Sequence, residues 1–176
     1  MYILSCLGQP TRGVVGFVDA ARVGPDSHPA HFAHCLKSVL RFQIFNRVWW
    51  NNDADVSYLD VKLPSRVVGH TVQGPEMWKT WHNTVALTGG TAMISEPVNQ
   101  PDAKAVWRNY EIMRPSSREN SRLITLGKSA KNSIFGFSAD RTWGDFAVYN
   151  LYNAEDNKSA DITLDFADAG LPAGTR

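Results

Sequence analysis

The chain has 176 residues, enough for one domain or one and a fraction. With 43% hydrophobic and 20% charged residues, its composition is globular and excludes a disordered chain. A net charge of +1 supplies no field to gather nucleic acid or an anionic membrane, so neither is expected as a partner.

No apolar run approaches the roughly 20 residues of a membrane span. Met1-Tyr2-Ile3-Leu4 carries no basic n-region, so no secretory signal is visible there. The two cysteines, Cys6 and Cys35, do not make a disulfide framework. Cys6 reads as a free thiol at a strand end, and the compartment stays open.

Taken in order, residues 2–5 read as a short buried strand and residues 14–20 as the next. The linker 6–13 holds Gly8, Pro10 and Gly13 and has no helical pattern. The second run ends at Arg22-Val23-Gly24-Pro25-Asp26, where Gly-Pro rules out a regular helix and puts Arg22 and Asp26 on a loop. Residues 31–47 form the first helix, with Phe32, Leu36, Val39, Leu40 and Ile44 at helical spacing. Pro29 ahead of it suits a helix start. Val48–Trp50 reads as a strand, 51–75 as a polar loop, 75–87 as a helix led by Pro75 and Glu76, and 91–94 as a strand. A further helix is expected over 102–113, stopped by Pro115.

After Pro115 the pattern changes. A polar stretch, 116–121, leads to β-rich runs at 134–138, 146–152 and 162–166, separated by turn residues. The last, Asp161-Ile162-Thr163-Leu164-Asp165-Phe166, alternates polar and apolar. The reading is therefore α/β followed by β, with a parallel part over 1–114 and an incomplete antiparallel part over 115–176. Four strand-like runs fall in the first part, against eight in a closed barrel. Such a sheet has an open edge and an uncovered apolar face, so the chain alone is expected to be marginal or prone to aggregate.

Polar residues gather at the strand ends: Arg22 and Asp26, then Asn52-Asp53-Ala54-Asp55, then Ser95-Glu96. Arg22 and Asp26 suit either a substrate-binding pair or a surface ion pair of little energy. Asp53 and Asp55 suit either a site rim or a turn, since Asp and Asn bond their own backbone. Trp49 and Trp50 are either sugar platforms or core, and alternation along a strand lets only one face inward. His28, His31 and His34 lie near Cys35 with three-residue spacing, but no zinc-site spacing accompanies them, so no metal is assigned.

These residues carry a resemblance. Leu4-Ser5-Cys6-Leu7-Gly8-Gln9-Pro10 resembles the Cys-Gly-x-Pro loop of the alpha-galactosidase-like glycoside hydrolases, families 27 and 36. Val15 to Asp26 resembles their Gly-Leu-Val-Asp-Ala-Met-Arg-Ile-Gly-Pro-Asp segment. Asn52-Asp53-Ala54-Asp55 is similar to their Asn-Asp-Pro-Asp motif, and Leu87-Thr88-Gly89-Gly90 with Ser95-Glu96 to their Thr-Gly-Gly…Ser-Asp segment. Here Ala54 replaces a proline and Glu96 an aspartate.

The resemblance implies the C-terminal half of a (β/α)8 TIM barrel followed by part of an antiparallel β-sandwich domain. It implies a retaining hydrolase of terminal α-galactosides, or related N-acetylgalactosaminides, without cofactor or metal. Asp26 takes the place of the acid/base. Arg22, Cys6, Gly8, Asp53 and Asp55 line or support the sugar site, with Trp49 a stacking candidate. The nucleophilic aspartate lies on the fourth barrel strand, ahead of Met1, so no catalysis is expected of this chain alone. The alternatives are a transglycosylase of the raffinose-synthase type, a non-catalytic carbohydrate-binding remnant and a gene fragment without function.

Overall fold

Phe32, Cys35, Leu36, Val39 and Leu40 recur at helical spacing, and all five are buried on one face of helix α1, Phe32–Phe42. Lys37 and Arg41 lie on the wet face. The α-helix ends sooner than the apolar pattern suggests. It tightens into a 3-10 turn at Gln43–Phe45, which turns Ile44 out into solvent and Gln43 in. The computed structural model describes residues 1–6, 11–27, 31–57, 75–94, 122–125, 132–154, 158–172 and 174. The helix expected over 102–113, the 116–121 stretch and the boundary near residue 114 lie outside these residues.

Four parallel strands form one sheet in the order β1-β2-β3-β4: Leu4–Ser5, Ala20–Arg22, Asn51–Ser57 and Thr91–Ile94. Two of them start later than the sequence suggests. The Val14–Val18 run, read as a strand, is a 3-10 turn at Arg12–Val14 and a reverse turn through Gly16, whose φ of 82° breaks extension. Phe17 is left 77% exposed there. Pairing begins only at Ala20. Asp19, just ahead of β2, is exposed, and its Oδ2 accepts the Ile3 amide at 2.7 Å.

The aromatic run Val48–Trp50 is likewise no strand. It is a turn with a single bridge residue, Trp50, entered through Arg47 at φ 62°. The strand is the polar stretch after it, which was read as a loop. Its buried Asn and Asp side chains are matched, whereas the buried Ser57 hydroxyl at its end has no partner among the described residues. The Asn52 amide donates to Asn46 Oδ1 at 2.9 Å, Asn52 Nδ2 to the Phe42 carbonyl at 2.9 Å, and Trp50 Nε1 to Asn52 Oδ1 at 3.0 Å. Those bonds let a strand of Asn and Asp be buried.

Helix α2, Pro75–Thr88, joins β3 to β4. Its C-terminal end is closed by side chains from the turn after α1. Gln43 Nε2 and Asn46 Nδ2 donate to the Thr88 carbonyl at 2.8 and 3.0 Å, and an Arg47 guanidinium nitrogen donates to Gly89 O at 2.9 Å. The Gly89-Gly90 pair has two separate reasons. Gly89 takes the left-handed conformation that ends the helix (φ 65°), and a Cβ on Gly90 would stand 2.4 Å from Asn52 O.

Strands β5 (Arg122–Leu123), β6 (Asn132–Ala139) and β7 (Phe146–Asn153) form an antiparallel sheet in that order. Its Phe135 joins Val23, Leu36, Val39, Trp81 and Val85 in one core cluster, so α1 and α2 share a core with both sheets. The expected strand at 162–166 does not form. Ile162 and Leu164 are half-buried between exposed neighbours, as the alternation demands, but the segment pairs with no strand among the described residues. It ends in a turn closed by Ala169 N→Asp165 O and Leu171 N→Phe166 O.

Candidate functional site

Arg22 closes β2 and sits in register with Asp53 of β3. Its guanidinium meets three carboxylates. Nε donates to Asp53 Oδ2 at 3.0 Å, one terminal nitrogen pairs with Asp55 Oδ1 at 2.7 Å, and the other donates to Asp26 Oδ1 at 3.3 Å. The surroundings of the three differ. The side chain of Asp53 is fully buried and that of Asp55 nearly so, whereas that of Asp26 is 84% exposed.

Local backbone geometry brings the pair on β3 to bear. Asp53 pairs with Thr91 and Val56 with Met93, so β3 holds one residue more than β4 across this step. That bulge re-aims side chains, as bulges beside functional sites do. Asp55 accommodates it at φ 75°, a conformation Asp tolerates better than most residues, while its amide donates to Asp53 Oδ1 at 2.9 Å. Every oxygen of the pair is then used. Asp53 holds Arg22 and the Asp55 amide, and Asp55 holds Arg22 and the Ser27 amide, the latter at 2.6 Å.

Ser27 fastens the loop that carries Asp26. Besides its amide bond to Asp55, its hydroxyl donates to the Val56 carbonyl at 2.8 Å. At the loop's start the Val23 amide donates to the Asp53 carbonyl at 3.0 Å. On the helix side the Cys35 thiol reaches the carbonyls of Pro25 and Asp26 at 3.6 and 3.4 Å. Residues 23–27 are thus tied to β3 and α1, while the Asp26 side chain stands in water.

Burial works to lower the Arg22 pKa, but the hydrogen bond to Asp53 and the charges of Asp55 and Asp53 outweigh it. The net effect lies above the ordinary guanidinium value, so Arg22 stays charged wherever the protein is folded. One cation against three carboxylates gives the cluster a formal charge of about −2, and of the three carboxylates only Asp26 faces water. Asp26 can therefore accept a proton or a hydroxyl hydrogen bond. Asp53 and Asp55, fully engaged, can do neither without releasing Arg22.

Of the residues singled out in the sequence, the structure brings together Arg22, Asp26, Asp53 and Asp55. Cys6, just after β1, is a free thiol and exposed. Trp49 is not part of the cluster. It precedes β3 at the N-terminal end of that strand and stacks on Phe45, with centroids 4.2 Å apart and planes at 13°. Trp50 is buried against the same Phe45. Gly8, His28 and Glu96 lie outside the described residues. His31 stands at the N-cap of α1 without a side-chain cap bond, and His34 is exposed. Sequence reasoning missed Ser27. Its only signal was its place directly after the Asp26 turn. No protein-family model matches the chain, and a search of curated proteins finds no match.

Proposed function

We propose that the chain carries the acid/base half of an alpha-galactosidase-like retaining glycoside hydrolase. One observation supports this most. Asp26 is a water-facing carboxyl on a fastened loop just past the C-terminal end of a parallel strand, the end at which (β/α)8 enzymes place their chemistry. The order β1-β2-β3-β4, with a helix between β2 and β3 and another between β3 and β4, suits half of such a barrel. The antiparallel sheet suits the β domain that follows it in the family. Residues 1–114 and 115–176 are the two parts under this reading.

In double displacement a carboxylate attacks the anomeric carbon while an acid protonates the departing oxygen. The same group then takes a proton from the water that releases the sugar. Asp26 fills that second role on terminal α-galactosides. Arg22, fixed by Asp53 and Asp55, sets the position of Asp26 and offers its remaining N–H groups to sugar hydroxyls. The nucleophile, by the resemblance, belongs to the strand before β1, so turnover needs that strand.

The test joins this chain to a barrel half bearing the nucleophile and follows aryl α-galactoside hydrolysis by NMR. Retained anomeric configuration is expected, with a fall in kcat of about 10²–10⁴ in Asp26→Ala. Full activity in Asp26→Ala would refute the assignment. Transfer to an added sugar in preference to water would favour the transglycosylase. Galactose binding without turnover would favour a binding remnant.

A further inference from the structure

A cleft of about 370 Å³ lies where the β6–β7 hairpin meets the segment that follows Ala169. That is within the size range of small-molecule sites, about 300–1,000 Å³. Phe146, Leu171 and Pro172 give it apolar lining, and Ser138, Asp140 and Asp145 give it polar lining. It shares no residue with the Arg22 cluster.

Both walls are fixed. On one side Ser138 pairs with Ala147 and Ala139 with Phe146 in the hairpin ladder. On the other, the turn through 166–171 is closed by its own backbone bonds, and the Tyr149 hydroxyl donates to the buried Ala169 carbonyl at 3.1 Å. A site held open in this way loses little freedom when a ligand enters.

Beside the cleft, in the same hairpin loop, Trp143 is 73% exposed. It is not loose. It stacks on Phe146, with centroids 5.1 Å apart and planes at 17°. Held in that orientation, Trp143 presents a flat apolar face to water beside the cleft.

We infer that this cleft binds the ring of a neutral sugar, its C–H face on the Trp143–Phe146 stack and its hydroxyls on Asp140, Asp145 and Ser138. The chemistry favours that ligand over two others. A hard dication gathers six or more oxygens, and no group of three or more acidic, His or Cys side chains suited to a metal occurs among the described residues. An organic cation is held by a cage of aromatic faces, and beside this cleft there is, among the described residues, a single stack, Trp143 on Phe146. The two carboxyl groups accept and the Ser138 hydroxyl both donates and accepts, which matches vicinal hydroxyls. The aromatic face supplies the apolar contact that carboxyls lack.

The test is an amide NMR titration of the full chain with methyl α-galactopyranoside and methyl α-glucopyranoside, and in separate arms with calcium chloride and tetramethylammonium chloride. Saturable changes at millimolar glycoside are expected for the amides of 138–147 and 169–171. Trp143→Ala should weaken binding about tenfold, and Asp145→Asn should weaken it too, with the remaining β6 and β7 amides unmoved. Asp26→Asn, whose side chain is water-screened, should leave this binding intact, which separates its failure from failure of the reading built on Arg22 and Asp26. Absence of saturation, equal binding by Trp143→Ala, or tighter binding in the calcium or ammonium arm would overturn the inference.

Discussion

Arg22 binds three carboxylates, but only two of them depend on it for stability. Asp53 and Asp55 are buried, and removing their cation leaves charge without compensation. Arg22→Ala should cost about 3 kcal/mol. It should also expose the Val23 and Ser27 amides to faster hydrogen exchange, since both are bonded to the acid pair. Asp26→Asn removes only a water-screened contact and should change stability by less than about 1 kcal/mol. Equal losses in the two variants would contradict this division. At the other end of the molecule, Asp145 has its pKa raised above the ordinary carboxyl value by its hydrogen bond to Asp140 and by that group's charge. A carboxyl raised in the folded state stabilises it below the unfolded value, and the effect fades as pH rises through the folded value. Carbon-detected titration should therefore find Asp145 ionising late, and Asp140→Asn should bring its midpoint down. That Arg22 and Asp26 stand together was legible in the sequence because Gly24-Pro25 forces a turn between them. The burial of Asp53 and Asp55 in a strand was not. Paired Asp and Asn normally form turns, and only the distant Arg22 makes their burial in a strand tolerable.

At the scale of elements, the sequence marked α1, α2 and the β6–β7 hairpin well: α1 has apolar residues at helical spacing, α2 opens on Pro75-Glu76, and the hairpin strands are rich in aromatic and aliphatic residues between turn residues. It misplaced β2 and β3 for one shared reason. In both cases the most apolar run, Val14–Val18 or Val48–Trp50, is a turn that leaves Phe17, Val48 and Trp49 exposed, and the strand is the more polar stretch beyond it. Local hydrophobicity pointed to the wrong residues because the polar stretch is satisfied by partners far along the chain, among them Asn46 and Arg22. Asn46 carries the clearest test. It accepts from the Asn52 amide and donates to the Thr88 carbonyl, so it joins β3 to the end of α2. Asn46→Ala leaves the buried Asn52 amide unmatched and removes one of the two bonds to the Thr88 carbonyl, which Gln43 still holds, and should cost about 2 kcal/mol, measured by thermal unfolding. Gly90→Ala should cost at least as much, because its Cβ meets a backbone oxygen that cannot move without parting β3 from β4. A fully stable Gly90→Ala protein would show that β3 and β4 are not packed as described.

At the scale of the molecule, the parallel sheet ends at β1, and the residues around that edge are apolar and wet. Tyr2, Ile3 and Leu4 are all exposed, as is Phe17. An edge of this kind invites pairing with another chain. The chain on its own should associate as its concentration rises, and Ile3→Lys should reduce that association, both readable by light scattering after size exclusion. A monodisperse monomer at high concentration would argue that the edge is not open in solution. The whole-molecule reading draws on resemblance for the barrel and the substrate, and on geometry for the cluster that fixes Asp26. The measurement that tests the latter most directly is an NMR titration of the Arg22 Nε–H resonance with methyl α-galactopyranoside, using the gluco epimer as control. The account predicts a saturable change at Arg22 Nε and the Ser27 amide with the galactoside, weaker with the glucoside and lost in Asp26→Ala. No change at either position, or the same change with both epimers and in Asp26→Ala, would contradict a galactoside site built on Arg22 and Asp26.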